Sequence, residues 1–188
     1  MLICDEHKFI FLRNPKTASR SVTKALKDNF TTRNVGNYHS WKISKELTGY
    51  FVFTTVRNPY ERTISGWQHW VGNGKNFTLK EFLDIVVRST KEKKWPNGLE
   101  WKVQAEMFDN IKRKVHFLRY ETLEEDLNFL PFVDKQIVLP QIGIQNYGDW
   151  KDHYSLDLEI RIYKLLQKDF ERFGYERWHF DKGQVSLL

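Results

Sequence analysis

Lys16 is followed closely by three hydroxyl residues, Thr17, Ser19 and Ser21, on a segment that leads from the short apolar run Phe9-Ile10-Phe11-Leu12 into an amphipathic stretch. A strand, a turn carrying lysine and hydroxyls, and then a helix make an arrangement that binds phosphate. The first backbone N–H groups of a helix have no internal partner, and the helix dipole favours an anion at that end. Thr17, Ser19 and Ser21 add hydroxyl donors, Lys16 adds positive charge at the rim, and small Ala18 lets the backbone approach closely. Taken alone, the segment fits an ordinary strand–loop–helix connection with an exposed lysine equally well. The nucleoside-triphosphatase pattern Gly-x-x-x-x-Gly-Lys-Ser/Thr is absent, and no apolar strand ends in an Asp suited to magnesium. The expected cradle therefore works without a metal, which counts against a kinase or ATPase.

The heptapeptide Pro15-Lys16-Thr17-Ala18-Ser19-Arg20-Ser21 resembles the 5′-phosphosulfate loop of the sulfotransferases that use 3′-phosphoadenosine 5′-phosphosulfate (PAPS). Roughly 40 residues on, the room that a βαβαβ arrangement needs, Phe53-Thr54-Thr55-Val56-Arg57-Asn58-Pro59-Tyr60-Glu61-Arg62-Thr63-Ile64-Ser65 looks like that family's 3′-phosphate motif. There an arginine at a strand end and a serine on the next helix hold the 3′-phosphate, and the matching positions are Arg57 and Ser65. Either motif alone is weak; the pair, in this order and at this spacing, is specific. Phe117-Leu118-Arg119-Tyr120-Glu121-Thr122-Leu123 is similar to the family's later strand ending in Tyr-Glu, whose tyrosine lies near the adenine, here Tyr120. Asp169-Phe170-Glu171-Arg172-Phe173-Gly174-Tyr175 resembles the closing motif of carbohydrate-type and membrane-associated members.

Two departures change what carries over. Gly148-Asp149-Trp150-Lys151 is similar to a stretch that follows Arg-Lys-Gly in cytosolic members, but Gly143-Ile144-Gln145 stands in that place here. The Arg-Lys-Gly contact is therefore not carried over, and Lys151 is kept only as a neighbour of the nucleotide. Arg20 stands where the family usually has a small or hydroxyl residue; it can clamp the 5′-phosphate bidentately or point to solvent.

The resemblance implies in-line transfer of a sulfuryl group from PAPS, leaving PAP as product, to a hydroxyl acceptor, with carbohydrate the leading class. The implied donor-binding set is Pro15, Lys16, Thr17, Ala18, Ser19, Arg20, Ser21, Arg57, Ser65, Tyr120 and Lys151. Such transfer relies on positioning and on neutralising charge that builds on the leaving phosphate, the role of Lys16 by resemblance. His39, just after an expected strand near Asn34 to Tyr38, is the expected general base, since several carbohydrate-type members place a catalytic His or Glu there. Its near-neutral pKa suits that work. The other reading is a loop histidine that is merely hydrogen-bonded, with His69 and His153 as lower-ranked bases. Glu121 can orient a Lys or Arg, or simply form an ion pair.

The elements that must position these residues follow from periodicity. Phe9–Leu12, Tyr50–Val56 and Val115–Arg119 read as buried strands. Helices are expected from Ser19 to about Phe30, after Pro59, from Thr78 to about Ser89, over Trp101 to Asn110 and from Ser155 to a terminating Gly174. Thr78-Leu79-Lys80-Glu81 and Thr122-Leu123-Glu124-Glu125 both have capping-box spacing. The expected fold is α/β: one domain over 1–188, a mainly parallel β-sheet flanked by helices, P-loop-like and nucleotide-binding.

The 188 residues carry a formal net charge of +6, which calls for an anionic partner. Lys and Arg are spread without a basic tail, so nucleic acid is not expected; a non-catalytic module for an anionic polymer stays as an alternative beside a kinase-like one. The single cysteine, Cys4, allows no internal disulfide. No apolar run of about 18 residues occurs, so no membrane span is expected. Met1 to Glu6 does not read as a secretory signal, and the expected lack of the anchor that Golgi members carry fits either a free cytoplasmic enzyme or a shortened form of a longer protein. A cytoplasmic enzyme without a metal is the expectation. Most of the seven tryptophans are expected in packing rather than on a sugar platform.

Overall fold

Apolar runs too short for helices become the strands of a five-stranded sheet. The computed structural model describes residues 1–36, 42–92 and 103–178. Its strands are β1 (Leu2–Cys4), β2 (Phe9–Leu12), β3 (Arg33–Asn34), β4 (Phe51–Val56) and β5 (Val115–Arg119), in the order β3-β1-β2-β4-β5. β2, β4 and β5 run parallel, with Phe11 beside Phe53 and Thr55 beside Leu118. β1 is antiparallel to both its neighbours, so the sheet is mixed. The parallel trio sends the turns after Leu12, Val56 and Arg119 out at one edge, the edge where α/β sheets bind ligands.

The chain groups into two compact units, Met1–Arg57 with Glu106–Ile144 and Asn58–Ala105 with Gln145–Leu188. The first holds the whole sheet. Strand alternation turns Leu2, Cys4, Phe9, Phe11, Phe53 and Leu118 to one face. There they pack with Val22, Ala25 and Leu26 of α1 (Ser19–Asn29). Phe132 stacks on Phe9 at 4.2 Å between centroids. Burying each of the Leu, Val and Phe side chains contributes about 1.5–3 kcal/mol.

In the second unit Asn58 caps α2 (Pro59–Gly72), its side chain accepting from the Tyr60 N–H with proline at the first helical position. Thr78 and Glu81 form the expected reciprocal box before α3 (Leu79–Glu92), with bonds of 2.8 and 3.2 Å. Asp169 is fully buried and accepts from the Gln104 and Ala105 N–H groups at the start of α4 (Gln104–Met107).

Three expected helical features differ. Of the helix expected over Trp101 to Asn110, only α4 is helical among the described residues. Thr122 makes no side-chain cap for α5 (Leu123–Asn128), because a 3-10 turn over Tyr120–Thr122 already leads into it. Glu124, the helix's second residue, instead accepts from the Leu139 N–H at 2.8 Å. The long C-terminal helix is two, α6 (Leu156–Leu165) and α7 (Gln167–Phe173), divided at Leu166. Ser155 caps the first and left-handed Gly174 ends the second, as the sequence indicates. Among the described residues no helix is long and apolar enough to cross a membrane.

Candidate functional site

The turn after β2 is braced from within. Asn14 is fully buried and its Nδ2 donates to the Thr55 carbonyl at 2.8 Å. The Thr17 hydroxyl donates to the Asn14 carbonyl at 2.9 Å and lies 2.5 Å from the Thr55 hydroxyl. Thr17 thus spends its side chain on tying the turn to β4, and offers an anion its main chain. Ser19 and Ser21 are buried, and the Ser21 hydroxyl accepts from the Ile142 N–H at 3.3 Å. Thr17→Val keeps the shape but strands the buried Thr55 hydroxyl. It should cost about 1–3 kcal/mol, read as a lower urea midpoint at unchanged slope; an unmoved midpoint would show the hydroxyl to be idle.

This bracing holds an unusual backbone. Lys16 (φ 65°) and Ala18 (φ 59°) are both left-handed, while Thr17 between them is not. Left-handed non-glycine residues cost about 1–2 kcal/mol each. Alternating handedness turns successive N–H groups toward one concavity, a nest for anions. Ala18 is also the N-cap of α1 and contributes no capping side chain. The first turn of that helix holds no acidic residue, only Arg20. A cation at a helix N-terminus opposes the dipole, and the mismatch disappears once an anion sits between them.

Arg57, immediately after β4, is buried at 7 % exposure, its guanidinium carbon 3.8 Å from the centroid of the Tyr120 ring. Tyr120 starts the 3-10 turn that follows β5. The planar guanidinium over an aromatic face is a favourable cation–π pair. Lys16 is half-buried, and its pKa is pulled down to about 8, first by burial and then by the charges of Arg57 and Arg20. Three cations therefore share one field. Among the described residues neither Lys16 nor Arg20 has an ion-pair partner. Like charges gathered this way raise the free energy of the empty site and lower that of an anion-filled one.

The remaining sequence-derived residues are placed as follows. Pro15 is half-buried at the head of the turn, and Glu121 is exposed beside Tyr120. In the second unit, Ser65 is buried on α2, and Lys151 is exposed with its Nζ 5.7 Å from the centroid of Trp150. His153 Nε2 lies 2.7 Å from the Tyr147 carbonyl, and His69 Nε2 3.2 Å from Asn73 Nδ2. His39 lies outside the described residues, as do Trp41, Trp95 and Trp101. The structure thus brings Lys16, Arg20, Arg57, Tyr120 and the 17–21 segment together in the first unit. Sequence reading missed Asn14 and Thr55. Their polar side chains at the ends of two apolar runs were the available signal, because a buried amide or hydroxyl there must find a partner.

A family model described as "Sulfotransferase family" matches residues 1–176. Relatives covering nearly the whole chain carry the name carbohydrate sulfotransferase 10. The protein of Homo sapiens is 23 % identical over 244 residues, spanning 96 % of this chain and 68 % of its own length. That of Mus musculus is 25 % identical over 241 residues, with the same two shares. No solved structure matches.

Proposed function

Because this chain belongs to the sulfotransferase family, we propose that its sulfuryl donor is PAPS and its acceptor a carbohydrate hydroxyl. The observation that carries the donor assignment is the gathering of Lys16, Arg20 and Arg57 in one field beside the N-terminus of α1, whose first turn holds no acidic residue. A nucleotide with anionic groups on both its 3′ and 5′ positions fits such a site. The buried, ring-backed Arg57 suits a fixed 3′-phosphate, and the nest with Lys16 suits the 5′ end. Tyr120 both steadies Arg57 and offers its ring to the base. The carbohydrate acceptor follows the names of the relatives.

The donor supplies an activated sulfuryl group on its 5′-phosphate. The chain's own residues then do three things. The nest N–H groups and Lys16 hold the 5′ end, and the ammonium neutralises charge as it grows on the leaving oxygen, where a preorganised cation acts most strongly. Arg57 fixes the far end, so the sulfuryl group presents one face. His39 accepts the proton of the acceptor hydroxyl. No step requires a metal, and the site is expected to work in the cytoplasm.

Thermal stabilisation by PAP, set against ATP with magnesium, tests the donor. A ligand at a hundred times its dissociation constant stabilises a fold by about 2.7 kcal/mol. PAP alone should raise the melting temperature. A rise only with ATP and magnesium would overturn the proposal.

A further inference from the structure

We infer that Arg20 is a second cation on the donor's 5′ end, and that Gly143 is the residue that positions it. The inference rests on the PAPS reading above. Arg20 is exposed in the first turn of α1 and has no hydrogen-bond or ion-pair partner among the described residues. Its charge nevertheless reaches Lys16, whose pKa it helps to lower after burial and Arg57. What it lies against is backbone. A Cβ built on Gly143 would stand 3.3 Å from Arg20 Nη1 and 4.0 Å from its Cζ. Gly143 has φ +70°, a conformation that side chains rarely adopt, and the preceding residue is fastened to α1 by the Ile142 N–H bond to Ser21.

Ser21 and Arg20 are adjacent in one helical turn, so a single stretch of loop is tied by one and overlaid by the other. The loop acts as a shelf, and a bare glycine keeps the shelf flat. Without it the guanidinium must give by a few tenths of an ångström, at the position where a fork of two donors has to meet a tetrahedral anion. Arg20 therefore grips the 5′-anion, and Gly143 acts only through Arg20.

The test compares three adenosine nucleotides by calorimetry: PAP, adenosine 5′-phosphate and adenosine 3′-phosphate. The proteins are the wild type, Arg20→Ala, Gly143→Asn and the double variant. Asparagine tolerates the left-handed backbone, so it adds the side chain with little added strain. Arg20→Ala should weaken PAP and adenosine 5′-phosphate by on the order of tenfold or more, while adenosine 3′-phosphate keeps its affinity. Gly143→Asn should weaken the same two ligands in the wild-type background and change nothing further once Arg20 is gone. Equal losses for all three nucleotides, or unchanged PAP affinity in Arg20→Ala, would overturn the role of Arg20. A Gly143→Asn effect that persists without Arg20 would overturn the positioning role. If the wild type binds none of the three, the PAPS reading itself falls and this inference falls with it.

Discussion

Arg57→Ala should abolish the thermal shift produced by PAP. The guanidinium is buried, sits over the Tyr120 ring and shares one field with Lys16. Charge-assisted bonds are worth about 1.5–3 kcal/mol each, and a fork on a phosphate makes two. Their loss raises the dissociation constant by roughly a hundredfold or more. A PAP concentration that stabilised the wild type by about 2.7 kcal/mol would then give only about 0.4 kcal/mol. Arg57→Lys keeps charge but loses the planar fork, and should recover part of the shift. Unfolding without ligand, run alongside, separates lost binding from lost structure. An undiminished shift in Arg57→Ala would remove this residue from the donor site.

The second large effect is on turnover. Lys16→Ala should keep an appreciable PAP shift, because the nest, Arg20 and Arg57 remain, while sulfuryl transfer falls by an order of magnitude or more. Full activity would take the lysine out of the mechanism. Its titration gives an independent readout. With a folded pKa of about 8 against 10.5 ordinarily, Lys16 binds its proton less firmly folded than unfolded. Its contribution to stability therefore rises with pH between about 8 and 10.5 and is flat below about 8. A bound anion reverses the depression, so PAP binding near pH 9 should take up protons. Calorimetry in two buffers of different ionisation enthalpy would show this in the wild type, and the uptake should vanish in Lys16→Ala.

Much of the scaffold could be read from residue order. Phe9–Leu12, Phe51–Val56 and Val115–Arg119 are apolar and rich in aromatic or β-branched residues, so each reads as a strand whatever surrounds it. Leu2–Cys4 is too short to announce itself and exists because Phe9–Leu12 offers it a partner. The strand expected near Asn34 to Tyr38 falls partly outside the described residues; within them Arg33–Asn34 pairs with β1. Leu166 interrupts what periodicity reads as one helix; the stripe of apolar residues continues across the break, so spacing alone could not reveal it.

The candidate site was legible in its chemistry and not in its bracing. Lys16 and Arg57 stand out through their motifs. That Thr17 turns inward, that Tyr120 backs Arg57 and that Gly143 underlies Arg20 are contacts between segments far apart along the chain. No local pattern encodes them.

The stretch from Leu130 to Ile144 has no helix or strand, yet its path is fixed by side chains belonging to others. Asn128 bonds both the N–H and the carbonyl of Ile137, Glu124 takes the N–H of Leu139, and Ser21 takes that of Ile142. Each of these grips the main chain, which every amino acid but proline presents alike. Positions 21, 124 and 128 thus carry the instructions for this route through their side chains and should tolerate little drift, while Ile137 is constrained a second time because its own side chain is buried in the core beside Leu139.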